Sequence, residues 1–230
     1  MKTLGLIGGM NWESTALYYK LINQAVKARL GGLHSARLVL HSVDFHDIEE
    51  LQRAGDWDRA GVLLADAARS LVAAGAQALV LCTNTMHKVA GAIERAAPVP
   101  LLHIADPTAA AAKAKGLSRV GLLGTGFTME QDFYKERLRG QGVEALVPPQ
   151  AGRQVVHRVI YEELCLGIVR EESRAQYLRI IEGLLREGAQ GVILGCTEIG
   201  MLVGAGDVAV PVFDTTQLHA TAAVEWALAG

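Results

Sequence analysis

Cysteine is scarce in this 230-residue chain, which carries only Cys82, Cys165 and Cys196. Three scattered thiols cannot make a disulfide framework, so packing must hold the core and a reducing compartment is expected. An excess of charge is also missing: 22 Lys and Arg against 24 Asp and Glu leave a formal net charge of −2. That balance gives no electrostatic reason to expect nucleic acid or an anionic membrane as a partner. Long apolar runs are absent too. The most apolar region, Gly61 to Leu81, is interrupted by Asp66, Arg69 and Gln77 and reads as a helix followed by a strand, not a membrane span. The amino terminus has one lysine and a short run, Leu4 to Ile7, before two glycines. It lacks the long apolar segment of a signal peptide, so a cytoplasmic protein is expected.

Half of the residues are hydrophobic and a fifth are charged, a globular composition. The length suits one large domain or two of about 115 residues. Thr3 to Ile7, then Gly8-Gly9, then a helical period through Ala16, Leu17, Leu21, Ile22, Ala25 and Val26 read as strand, turn and helix, with Ser14 or Thr15 opening the helix. Such a turn suits an anion at the helix start or simply a tight connection. Gly8-Gly9-Met10 lacks the P-loop lysine and the full G-x-G-x-x-G spacing, which argues against a nucleotide. Arg37 to Val43 is a second strand, Trp57 to Ala74 a helix, Ala78 to Leu81 a third strand, Met86 to Ala96 a helix and Leu101 to Ile104 a fourth strand. His34, His41 and His46 have no metal-ligand spacing and read as surface or packing residues; no metal is expected.

A partial copy of this order follows. Thr3-Leu-Gly-Leu-Ile-Gly-Gly-Met10 is matched 116 residues later by Arg119-Val-Gly-Leu-Leu-Gly-Thr-Gly126. Gly75-Ala-Gln77 recurs 113 residues later at Gly188-Ala-Gln190, and Val99-Pro-Leu-Leu102 recurs 111 residues later at Val210-Pro-Val-Phe213. Three anchors in one order at nearly one spacing imply a duplication with a period far longer than a solenoid's. The expected organisation is an α/β fold of two pseudo-symmetric parallel-sheet halves, residues 1–112 and 113–214, with a final helix in 215–230 that could pack back on the first half.

Aligning the Gly-Ala-Gln triplets sets Cys196 opposite Thr83, not opposite Cys82. Parallel sheets bind ligands at the carboxyl ends of their strands, where both tips lie. A pseudo-twofold would bring the two tips to one cleft and let a stereocentre be approached from both sides. Cys196 suits an acid/base role: a free thiol has a pKa of about 8.5, and N–H groups at a helix start can lower it. Thr197 offers a hydroxyl to a substrate oxygen, and Glu198 is placed to hold or exchange the thiol proton. Thr83 is the harder case, because a hydroxyl is a weak acid that cannot act as base without activation. Cys82 points to the other side of a continuing strand and is expected in the core. Asn84 and Thr85 supply donors for a carboxylate. His87, one turn further on, is either a cap or surface residue or support behind the site.

These residues resemble the aspartate/glutamate racemase family of cofactor-independent amino-acid racemases, and are most similar to its bacterial broad-specificity subgroup. The likeness is carried by Gly5-Leu-Ile-Gly-Gly-Met10, Trp12-Glu-Ser-Thr15, Ser42-Val-Asp-Phe45, Thr83-Asn-Thr-Met-His87, Met129-Glu-Gln-Asp-Phe-Tyr134 and Gly195-Cys-Thr-Glu-Ile199. It implies flavodoxin-like halves, a homodimer, a small amino acid as substrate, and neither pyridoxal phosphate nor metal as cofactor. It also implies Cys196 as the thiol facing the α-proton of an L-amino acid and Thr83 in the first catalytic position, which the family fills with cysteine. Met10 lies in the first of these motifs as a substrate contact. Aspartate-specific relatives carry a lysine in a segment that is here Glu163-Leu-Cys-Leu-Gly167, so Cys165 replaces that cation, and Gln52 is the candidate contact for the substrate side chain. A buried second carboxylate without a cation is costly, so neutral polar amino acids are expected at least as readily as Asp or Glu. Two other readings stay open: a single-thiol decarboxylase of the same superfamily, and an amino-acid-binding protein without turnover.

Overall fold

Leu4-Gly-Leu-Ile-Gly8 is buried at every position, the pattern of a strand covered on both faces. The computed structural model describes residues 1–229 and divides into two units, residues 1–103 with 219–230, and residues 104–218. In the first unit, β1 (Leu4–Gly8), β2 (Leu38–Ser42), β3 (Ala78–Leu81) and β4 (Leu101–Leu102) form a parallel sheet in the order β2-β1-β3-β4. The helices α1 (Trp12–Leu30), α2 (Phe45–Ala54), α3 (Trp57–Ala73) and α4 (Ala90–Ala96) connect them. In the second unit, β5 (Arg119–Gly124), β6 (Glu144–Leu146), β7 (Val192–Gly195) and β8 (Val212–Asp214) repeat the arrangement as β6-β5-β7-β8, all parallel. Its helices are α5 (Ala105–Ala114), α6 (Gly126–Glu130), α7 (Asp132–Gly140), α8 (Gln150–Glu162) and α9 (Glu171–Arg186); α10 (Thr215–Leu228) follows. The expected α/β fold with two parallel sheets is therefore observed.

Side-chain alternation along the strands feeds two cores in each unit. In β3, Leu79 and Leu81 join Ile7, Leu64, Leu71 and Ile93 on one face. Ala78, Val80 and Cys82 join Leu6, Tyr18 and Val224 on the other. In β7, Val192 and Leu194 pack with Val159, Tyr177 and Ile181, and Ile193 packs with Leu122, Tyr134 and Phe213.

The division falls after His103, not after residue 112, because Ala105, Ala109 and Ala112 of α5 are buried in the second unit's core. The carboxyl-terminal part of α10 groups with the first unit, where Ala220, Ala223, Val224 and Ala227 are buried. The helix following β3 is also different from expectation. It starts as a 3₁₀ turn over Thr85–Val89 and becomes α-helical only at Ala90.

The first strand-to-helix turn is closed largely by its own side chains. Helix α1 starts two residues before Ser14, with Asn11 as its cap: Asn11 Oδ1 accepts the Ser14 N–H at 2.9 Å. Thr15 Oγ1 accepts the Gly9 N–H at 2.8 Å and donates to the Asn11 carbonyl at 2.9 Å. A side chain at Gly9, where φ is +97°, would sit 2.1 Å from the Val43 carbonyl oxygen. The two glycines thus serve a tight connection in which the Gly9 and Ser14 N–H groups are already bonded to side chains.

Candidate active site

At the first tip, the ladder continues one residue beyond β3: the Cys82 N–H donates to the Ile7 carbonyl at 2.9 Å. The Cys82 side chain is fully buried, with Sγ 3.7 Å from the Val80 carbonyl, and burial pushes its thiol pKa up. Thr83 follows, half-buried, its N–H turned back to the Leu81 carbonyl at 2.8 Å. Asn84 and Thr85 are buried as the chain enters the 3₁₀ turn. Gln52, in the last turn of α2, is 4% exposed and donates from Nε2 to Met86 Sδ at 3.0 Å, which binds α2 to this tip. The Met10 side chain lies in the same core as Met86 and Ile48. The side chain of Met10, expected as a substrate contact, therefore fills the interior.

At the second tip, β7 ends at Gly195 and Cys196 is still extended, with φ −149° and ψ 136°. A side chain at Gly195 would stand 2.8 Å from the Leu123 carbonyl oxygen, so glycine is what allows β7 to lie this close to β5 at its end. A 3₁₀ turn over Thr197–Met201 follows. In it Glu198 is 7% exposed and turns towards the residues just before it. One oxygen, Glu198 Oε2, takes both neighbours: the Cys196 thiol donates at 2.8 Å and the Thr197 hydroxyl at 2.6 Å.

This surrounding acts on Cys196 opposite to the expectation that a helix start would lower its pKa. Burial, the negative charge of Glu198, nearby Cys165 and the hydrogen bond to Glu198 all hold the thiol well above its ordinary value; the Glu198 backbone N–H pulls weakly the other way. The resting group is a protonated thiol with a carboxyl acceptor already in contact. Thr197 is also turned inward: its hydroxyl bonds to Glu198 in this structure.

Cys165 sits in a 3₁₀ turn, Leu164–Leu166, half-buried against the same core as Cys196. Glu163 just before it is buried; Ser173 donates to it at 2.6 Å and Arg158 at 3.3 Å. Sequence reading did not find this acid or its partners, because Ser173 is ten residues away and nothing in its local pattern marks it. Sequence reading also missed two imidazoles, His103 and His219, that lie buried with His87 in the first unit. Among the described residues no group of His, Cys, Asp and Glu could hold a metal ion. No helix among them is long and apolar enough to cross a membrane.

The family model for Asp/Glu/hydantoin racemases matches residues 7–223. The chain belongs to the Asp/Glu/hydantoin racemase family. As a racemase it is an isomerase. A crystal structure from Yersinia pestis, provisionally assigned as an Asp/Glu racemase, is 59% identical, covers 99% of this chain and 100% of its own, and superposes with a TM-score of 0.94. An aspartate racemase homologue from Pyrococcus horikoshii OT3 is 35% identical over 99% of both chains, with a TM-score of 0.86. The broad-specificity amino-acid racemase RacX of Bacillus subtilis (strain 168) is 23% identical over 98% of both sequences. Of the residues singled out in the sequence, Gln52 touches Met86 beside Thr83, Asn84 and Thr85 in the first unit, and in the second Cys165 and Cys196 pack on one core while Cys196 and Thr197 share Glu198.

Proposed function

We propose that this protein is a cofactor-independent amino-acid racemase of small substrates, with Cys196 as the base towards the L-enantiomer and Thr83 in the opposite catalytic position. The observation that carries this reading is the Cys196–Glu198 contact of 2.8 Å at the carboxyl end of a parallel strand. The thiol proton moves to Glu198 Oε2, breaking S–H and forming O–H. The thiolate then takes the substrate's α-hydrogen, regenerating S–H and leaving the electron pair on the α-carbon. Thr83, or a water molecule it holds, returns a proton to the other face, its O–H bond breaking as C–H forms; solvent reprotonates the resulting alkoxide or hydroxide and takes up the proton held by Glu198. The Thr197 hydroxyl on the same Glu198 oxygen steadies that carboxyl group through both protonation states. No organic cofactor or metal takes part in this scheme.

The substrate range follows from charge. At the second tip Glu163 is already paired with Arg158, Glu198 is a further buried acid, and Cys165 stands in the segment where acidic-substrate relatives place a lysine, so among the described residues no free cation is evident for a second substrate carboxylate. A substrate carboxylate entering such surroundings unpaired would be costly. Neutral polar amino acids, homoserine among them, therefore fit at least as well as Asp and Glu, with the Gln52 amide as a contact for the side chain. The broad specificity named for the Bacillus relative supports this range. The working form is a cytoplasmic homodimer, as the family resemblance implies.

The test is to incubate the protein with L-homoserine, L-Asp and L-Glu in heavy water and follow deuterium at Cα together with chirality. Deuterium entry with inversion, at least as fast for homoserine as for the acids, is the expected result. Failure to exchange any amino acid overturns the racemase reading, and carbon dioxide release from a malonate-type acid would replace it with the decarboxylase. A preference for Asp or Glu over every neutral amino acid overturns the substrate assignment alone.

A further inference from the structure

His87 is 2% exposed, and its Nδ1 lies 2.8 Å from the Thr83 carbonyl oxygen. A carbonyl oxygen can only accept, so Nδ1 carries the hydrogen. Burial first, then the neighbouring His103 and His219, push the His87 pKa well below its ordinary value, so the ring is neutral and this tautomer is fixed. The His103 ring is 4.4 Å away, centroid to centroid, and the His219 ring 5.9 Å. His219 is locked in turn. Its Nε2 donates to the Leu102 carbonyl at 2.6 Å, which leaves Nδ1 to accept the Tyr18 hydroxyl at 2.8 Å. Four segments, from α1, the end of β4, α10 and the 3₁₀ turn, thereby converge behind one carbonyl at the strand tip. With those nitrogens committed, the cluster is not a metal site.

The second unit has nothing of the kind. The register that matches Thr83 to Cys196 matches His87 to Gly200, and the β4–β8 register matches His103 to Asp214. A side chain at Gly200 would meet Asp214 Oδ2 at 3.4 Å. The imidazole stack belongs to the tip whose Cys196-equivalent position carries a hydroxyl, Thr83, in place of a thiol.

We infer that His87 is a positioning residue for the weak half of the reaction: by holding the Thr83 carbonyl it fixes the Thr83 backbone and so aims the hydroxyl that returns the proton. The inference rests on the racemase reading and assigns a role that reading leaves empty. A hydroxyl that cannot be made strongly acidic depends on placement, and misplacement by about 1 Å can cost about 100-fold. Cys196, with an acceptor of its own, does not depend on this brace.

The measurement is the ratio of inversion to Cα deuterium exchange for an L-amino acid in heavy water. In His87→Ala this ratio falls about 10- to 100-fold. In His87→Asn, whose amide nitrogen replaces Nδ1, most of it returns. Equal losses of inversion and exchange in His87→Ala mean a merely structural role and overturn the inference, as does an unchanged ratio or a folded His87→Asn no better than His87→Ala. If His87→Ala does not accumulate as folded protein, His87→Gln, with its amide one bond further out, must show the same fall; an unchanged ratio there overturns the inference. A wild-type protein that exchanges nothing overturns the racemase reading as well, whereas one that inverts while the variants keep its ratio overturns only the role of His87.

Discussion

In the first unit Ile7 pairs with Leu81, and in the second Leu123 pairs with Leu194; Leu79 pairs with Leu101, and Val192 with Val212. The two sheets thus share strand order and register, and Thr83 and Cys196 come two residues after equivalent leucines. What differs is how each tip is finished. The first holds a core cysteine, a hydroxyl and an imidazole brace; the second holds a glycine, a thiol and a carboxyl group. A duplicated frame can keep backbone geometry while separate substitutions finish each copy differently, which the proposed scheme uses for the two halves of a proton transfer. The half with the stronger acid has an acceptor in contact at 2.8 Å, and the half with the weaker one is fixed through its carbonyl at 2.8 Å.

The largest effect is expected where the two tips are most unlike. Cys196→Ser removes the proposed base and should lower Cα exchange of L-amino acids by about 10²–10⁴-fold, the usual scale for a general acid/base group. Thr83→Ala should keep exchange on the L-enantiomer and lose inversion. Isotope and chirality measurements on the same sample separate the two. Parallel losses in both variants would break the division of labour between the tips.

A smaller effect tests why one tip carries a side chain where the other has none. Cys82 and Gly195 are equivalent in register, but a Cβ at Gly195 would press against the Leu123 carbonyl oxygen at 2.8 Å and Leu122 Cδ1 at 3.0 Å. Gly195→Ala should therefore destabilise the protein by about 1–3 kcal/mol, as overpacking does. Chemical denaturation followed by circular dichroism reads this directly. An unchanged midpoint would mean that β5 and β7 can part at that point and that glycine is not what keeps them close.

Much of this frame is legible in the sequence. Ala78 to Leu81 has the bounds that its apolar pattern predicts, and the helix expected in 215–230 is found as Thr215–Leu228, since a strand buried on both faces and a long apolar helix leave strong local signals. The three repeat offsets survive as strand registers, because register follows from which residues must be buried. The Asn11 cap is the kind of detail a pattern misplaces: Ser14 and Thr15 are good caps, but their side chains are used inside the first turn. The imidazole stack was hidden because its bonds span 117 residues from His219 to Leu102 and 201 from Tyr18 to His219. The direction of the Cys196 shift was hidden for another reason. It depends on which way Glu198 turns, and the 3₁₀ turn that decides this has no distinctive sequence.

The smallest effect concerns the two raised thiols and sharpens the contrast in cause. Cys196 is held up by burial together with Glu198 and Cys165, whereas Cys82 is held up by burial alone. The unfolded chain releases the Cys82 proton near the ordinary thiol pKa of about 8.5, while the folded chain retains it to higher pH. Between those points the folded state binds the extra proton, so stability falls as pH rises. Cys82→Ala removes that loss and also removes one buried atom, at a cost of about 1 kcal/mol, the scale of a deleted core methyl group. The variant should therefore be less stable than wild type at neutral pH, and the gap should narrow or reverse as pH climbs past the thiol range. Denaturation midpoints for both proteins at pH 7 and at alkaline pH decide it. A constant gap would mean that the Cys82 thiol meets solvent in the folded protein, and the first tip would then hold an ionisable sulfur beside Thr83.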